Sequence, residues 1–138
     1  MSTECVICGL IDTGSANWVA REELAVAFEP LVEDTLAPGH TVVAPRKHVE
    51  GLFGPTESEL ASVLALVQRV AAAMRSRIGS TGTFVIQASG PDSGGTVPHV
   101  HFHVIPCWAD DDASFWPLDR SAHALTVEPY AEIRSAFQ

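Results

Sequence analysis

Residues 97–106 read VPHVHFHVIP. An extended chain turns successive side chains to opposite faces. A strand over this stretch therefore sets His99, His101 and His103 on one face. Val100, Phe102 and Val104 fall on the other, where they need a second layer to cover them. The chain supplies that layer upstream. Thr56 and Glu59 form a capping box. Behind them Leu60, Val63, Leu64, Val67, Val70, Ala71, Met74 and Ile78 recur at helical spacing. Gly79 and Gly82 close this helix of about five or six turns. Between helix and histidine stretch, residues 83–88 read as a strand, and residues 89–95 (SGPDSGG) as a glycine-rich turn.

Further out the strand signals continue. Residues 18–21 and 24–28 are short apolar strands around Glu22 and Glu23, and residues 40–45 (HTVVAP) form a β-branched strand that Pro45 stops. Residues 30–39 are an acidic loop. A weak helix is expected over residues 130–137 at the end of a tail that begins after Cys107. The sum is an α+β domain: a small antiparallel sheet packed against one main helix, with residues 1–138 as one domain.

The chain is 46% hydrophobic and 18% charged, which fits a packed core. No apolar run approaches a membrane span, and the N-terminal residues lack a basic-then-apolar leader, so a cytoplasmic location without membrane contact is expected. Seventeen acidic against eight basic residues give a net charge of −9, which repels nucleic acid. It does not exclude a mononucleotide, because backbone amides can hold one phosphate. Three cysteines are too few for a disulfide framework, and Cys5 and Cys8 form a C-x-x-C pair that points to metal or redox chemistry.

Three imidazoles in register admit three readings: satisfied structural histidines, ligands of a catalytic zinc, or nucleophilic catalysis at phosphorus. The turn before them offers successive backbone N–H groups to an anion, and Gly94 and Gly95 allow close approach.

The stretch from Gly94 to Pro106, GGTVPHVHFHVIP, resembles the histidine-triad (HIT) signature, and PGHTVVAPRKHV from Pro38 to Val49 resembles the strand that accompanies it. The resemblance covers about residues 5–107. It implies a HIT-like fold and a mechanism in which His101 attacks the α-phosphorus of a nucleoside 5′-phosphoryl derivative, with a nucleotidyl-histidine intermediate. His103 would hydrogen-bond the phosphoryl or leaving oxygen. Gly94, Gly95 and Thr96 would hold the phosphate, and Glu29 or Asp34 the ribose. The resemblance also implies a structural zinc on Cys5, Cys8, His48 and His99, a purine nucleotide substrate and a homodimer. His40 reads as structural and His123 as a surface residue.

Three positions depart from the family pattern: Gly95 for a glutamine, Ala88 for an asparagine, and Cys107 for an arginine. The missing glutamine removes a phosphate donor, so a nucleotide-binding module with little turnover is the alternative, and Gly95→Gln is expected to raise the rate if that donor is limiting. Gln87 would point to the opposite face.

Overall fold

The computed structural model describes residues 5–95 and 97–138. In chain order the elements are α1 (Val6–Thr13), β1 (Trp18–Arg21), β2 (Ala25–Phe28), a 3-10 turn (Val32–Asp34), β3 (Thr41–Pro45), α2 (Glu57–Ile78), β4 (Gly82–Ile86), β5 (Phe102–Cys107) and α3 (Pro129–Ser135). The strands form one antiparallel sheet in the order β1-β2-β3-β5-β4. This is the expected α+β architecture.

Helix α2 starts on the Thr56–Glu59 capping box and ends at Gly79, whose φ of 71° lies in the left-handed region. Glu57 and Glu59 in its first turn and Arg75 and Arg77 in its last oppose the helix dipole. Its buried face, Val63, Leu66, Val67, Val70 and Met74, meets Ala25, Ala27, Val43, Val100, Phe102 and Val104 of the sheet side. The periodicity missed Leu66, whereas Leu64 and Ile78, which fit the spacing, stand half exposed. Gly82 opens β4 and does not cap the helix.

The other sheet face carries a second apolar cluster: Cys5, Ile7, Val26, Phe28, Val42 and Ala44. Helix α1 covers it. Its first turn is capped by a thiol, the Cys8 N–H donating to Cys5 Sγ at 3.3 Å.

The histidine strand is shorter than residues 97–106. The ladder begins at Phe102, because β3 pairs with β5 only from Thr41–Val104 to Val43–Phe102. Beyond that, Val100 N–H donates to Val49 O at 2.8 Å, and the Pro45 carbonyl is taken by the His99 side chain. Alternation nevertheless survives: Val100, Phe102 and Val104 all face α2.

Candidate active site and metal cluster

Four imidazoles line the face of the sheet opposite α2, and each has one nitrogen whose role is dictated by its partner. A carbonyl can only accept, and a backbone N–H can only donate. His99 Nε2–H donates to Pro45 O at 2.8 Å, leaving the Nδ1 lone pair free. His101 Nδ1–H donates to His99 O at 2.7 Å, leaving the Nε2 lone pair free. His40 Nδ1 accepts from Leu36 N–H at 3.1 Å, so its Nε2 carries the proton. That Nε2–H donates to His103 Nδ1 at 2.9 Å, and the proton of neutral His103 is thereby placed on Nε2. The face thus presents a bare nitrogen at His101 beside an N–H at His103, with ring centroids 5.0 Å apart.

Burial, with the neighbouring His101 and His40 rings, pushes His103 down to about 4, and burial also lowers His40. Both rings are neutral at pH 7. His40, read as structural from the sequence, is buried and structural in position, but its contact with His103 makes it part of the histidine cluster. No local signal in the sequence marks that role, because the contact joins residues 63 apart.

Of the two acids considered for a ribose, Asp34 is felt electrostatically at both His40 and His103, where it opposes their lowered affinity for protons. Glu29 is exposed, exerts no such effect on either ring, and bonds through its backbone to Asn17.

The glycine-rich turn is as expected in kind. Gly90 and Gly94 have φ of 83° and 92°, and Ser93 Oγ–H closes the turn on Gly90 O at 2.7 Å. Thr96 lies outside the described residues. Val97 beyond it packs with the Cys5–Phe28 cluster, so the turn enters on the histidine side. A cavity of about 380 Å³ lies beside the turn, lined by Glu50, Gly51, Ala88, Gly90, Gly95 and Pro98 among others. A Cβ at Gly95 would meet Ala88 O at 3.2 Å and Ala88 Cβ at 3.3 Å. A glutamine at this position therefore needs Ala88 to give by a few tenths of an ångström, and that bears on the expectation for Gly95→Gln. Gln87 bonds Ala88 O and accepts from Ser89, and Ser89 Oγ in turn accepts from Leu52 N–H, so these side chains tie the turn to the neighbouring loop. A second groove, about 340 Å³, lies between α2 and β1 on the opposite side of the sheet and holds no histidine.

Cys5, Cys8, His48 and His99 converge so that their ligand atoms all lie within 4.8 Å of one another. Cys5 Sγ and Cys8 Sγ stand 3.4 and 3.5 Å from His99 Nδ1, and Cys8 Sγ stands 3.4 Å from His48 Nδ1. Those are the edges of a small tetrahedron. A zinc with ordinary Zn–S and Zn–N bonds would hold sulfur and nitrogen about 3.5 Å apart. The nitrogen that His99 turns to the cluster is the one left unprotonated by Pro45. Burial and the adjacent Cys5 push the Cys8 thiol up to about 11, so without a cation the Cys8 sulfur keeps its proton. The donor set therefore fits a metal ion, and all four residues named from the sequence come together.

A five-stranded antiparallel sheet under one long helix, with in-register imidazoles beside a Cys2His2 cluster, defines the class. The HIT domain family profile matches residues 14–109, and the chain belongs to that family. A HIT family protein of Bacillus anthracis superposes with a TM-score of 0.81 at 25% identity, covering 99% of this chain and 96% of that one. A zinc-bound histidine triad family protein of Mycobacterium smegmatis superposes with a TM-score of 0.75 at 28% identity, covering 83% of each chain. The asymmetrical bis(5′-nucleosyl)-tetraphosphatase of Schizosaccharomyces pombe is 35% identical over 86 residues, which are 62% of this chain and 46% of that protein.

Proposed function

We propose that the protein hydrolyses or transfers nucleoside 5′-phosphoryl groups through a covalent intermediate on His101. The observation that carries this is the bond from His101 Nδ1–H to His99 O, which leaves Nε2 bare as the attacking atom. The Nε2 lone pair forms the bond to the α-phosphorus, and the bond to the leaving oxygen or nitrogen breaks. The imidazole becomes cationic in this step. Its bond to the His99 carbonyl therefore strengthens as the reaction proceeds, which favours the transition state over the ground state. Water then forms the new P–O bond, the P–N bond breaks, and a nucleoside monophosphate leaves with His101 restored.

His103 is the donor in this reading. Its Nε2–H, fixed by His40, meets the phosphoryl oxygen or the leaving atom. Backbone N–H groups of Gly94 and Gly95 receive the phosphate, and Asp34 is favoured over Glu29 for the ribose hydroxyls by its position near His40 and His103. Substrates are phosphoramidates, adenylates or dinucleoside polyphosphates, with a purine base. The similarity to a tetraphosphatase supports this class.

Zinc on Cys5, Cys8, His48 and His99 would be structural, because four protein ligands leave no open position. The ion would clamp α1 and the loop after β3 to the residue two before His101. The similarity to a zinc-bound relative supports the metal's identity.

The second reading, a nucleotide-binding module with little turnover, is favoured by Gly95 alone. That position has no side-chain donor and, with Ala88 against it, little room for one. Release of AMP from an adenosine phosphoramidate by the purified protein separates the two. Turnover that His101→Ala abolishes while AMP still binds supports the hydrolase. Binding without turnover in the wild type supports the module.

A further inference from the structure

Two free thiols meet at the head of α1. Cys5 is the N-cap and Cys8 stands three residues on, so their side chains share one side of the first turn. Cys5 Sγ accepts from Cys8 N–H at 3.3 Å, which holds it beneath the residue it would bond. Both sulfurs also converge on one atom, His99 Nδ1, at 3.4 and 3.5 Å. They lie within 4.8 Å of each other. A disulfide needs about 2 Å between its sulfurs, a gap that side-chain rotation closes while the helix stays folded.

The pair is asymmetric. Cys5 is 2% exposed, whereas Cys8 is only partly buried. An oxidant in solution therefore meets Cys8 first, with Cys5 behind it. The third thiol is elsewhere. Cys107 ends the six-residue β5, whose start follows His99, so roughly 20 Å of strand separates it from the pair.

We propose that Cys5 and Cys8 are a redox pair, which hydrogen peroxide closes to a disulfide, expelling the metal and unfastening α1 from the histidine strand. The proposal rests on the metal reading above. Ligation would hold the Cys8 sulfur as thiolate, the reactive form. That sulfur bonds to one peroxide oxygen, the O–O bond breaks, and hydroxide leaves behind a sulfenic acid. Cys5 sulfur then bonds to Cys8 sulfur, the S–O bond breaks, and a second hydroxide leaves. The two sulfurs give up two electrons and the peroxide gains them. Of the four donors, His48 and His99 remain, too few for a closed tetrahedral site. The His99 carbonyl sets the tautomer of His101, so the oxidation state of the pair reaches the strand that carries the nucleophile.

The test uses full-length protein carrying Cys107→Ser, loaded with zinc and titrated with hydrogen peroxide in the absence of nucleotide. The peptide that contains residues 5–8 should become lighter by two hydrogens. One zinc should be released for each disulfide formed, read with a chromogenic chelator. The α1 amides should exchange at least ~10-fold faster once cap and metal are lost. Dithiothreitol with zinc should reverse all three changes, and Cys8→Ser in the same background should give no such peptide. Zinc that stays bound while the disulfide forms overturns the proposal. So do thiols carried to sulfinic acid without a disulfide, or thiols that a large excess of peroxide leaves reduced. A chain that takes up no zinc overturns the metal reading as well, whereas one that binds zinc and forms no disulfide overturns this proposal alone.

Discussion

At the scale of single residues, the site is a matter of which nitrogen carries which proton. His101 borrows its tautomer from a backbone carbonyl, and His103 borrows its own from another imidazole. Removing His40 should let the His103 proton move to Nδ1. His40→Ala is therefore expected to lower kcat by roughly 10- to 100-fold, the range seen when a partner orienting a working imidazole is lost, with little change in KM. A KM effect alone, measured by steady-state kinetics, would give His40 a merely structural role. The depressed affinity of His103 for protons also sets a pH dependence of stability. The unfolded chain protonates this ring near 6.5, the folded chain only near 4. Its contribution is complete above pH 6.5 and is lost as pH falls toward 4, by at most about 3 kcal/mol. Urea unfolding at pH 7.5 and pH 5 should show a smaller loss for His103→Gln than for the wild type. An equal loss would remove His103 from this role.

The three triad histidines were legible as a set because alternation needs only one strand. The role of His40 was not, because its partner lies 63 residues away and only the sheet brings them together. The choice between Glu29 and Asp34 likewise depends on where a short 3-10 turn points a loop.

Among the elements, α2 and most strands carry local signals, a capping box and runs of apolar alternation, that tertiary structure keeps. Helix α1 does not. It has eight residues, too few to be stable alone, and is held by a cysteine cap, the apolar cluster beneath it and the Cys5–Cys8 pair. The strand over residues 97–106 was overdrawn because the start of a ladder depends on the neighbour's free carbonyls, and Pro45 gives its carbonyl to His99. If zinc binds as proposed, metal-binding free energy becomes folding free energy for this end of the molecule. Purified protein should hold about one zinc per chain. Cys5→Ser, Cys8→Ser and His48→Ala should each lose metal and lower Tm by roughly 10 °C, with each kcal/mol worth about 2–5 °C at this size. His101→Ala should keep the ion. Elemental analysis showing the reverse, metal lost with His101 and kept without His48, would make the histidine strand itself the metal site.

For the molecule as a whole, the acidic surface, the two-faced sheet and the long exposed arm divide the work. One sheet face is closed by α2 and gives stability; the other carries the imidazoles and the metal cluster. No helix among the described residues is long and apolar enough to cross a membrane. The proposed chemistry depends on one bare nitrogen at the centre of that second face. The most direct test is mass spectrometry of the wild-type protein, acid- or base-quenched during turnover of an adenosine phosphoramidate and digested. The account predicts an adenylyl adduct on His101, absent in His101→Ala. Turnover with no adduct on His101, or an adduct on another residue, would contradict it.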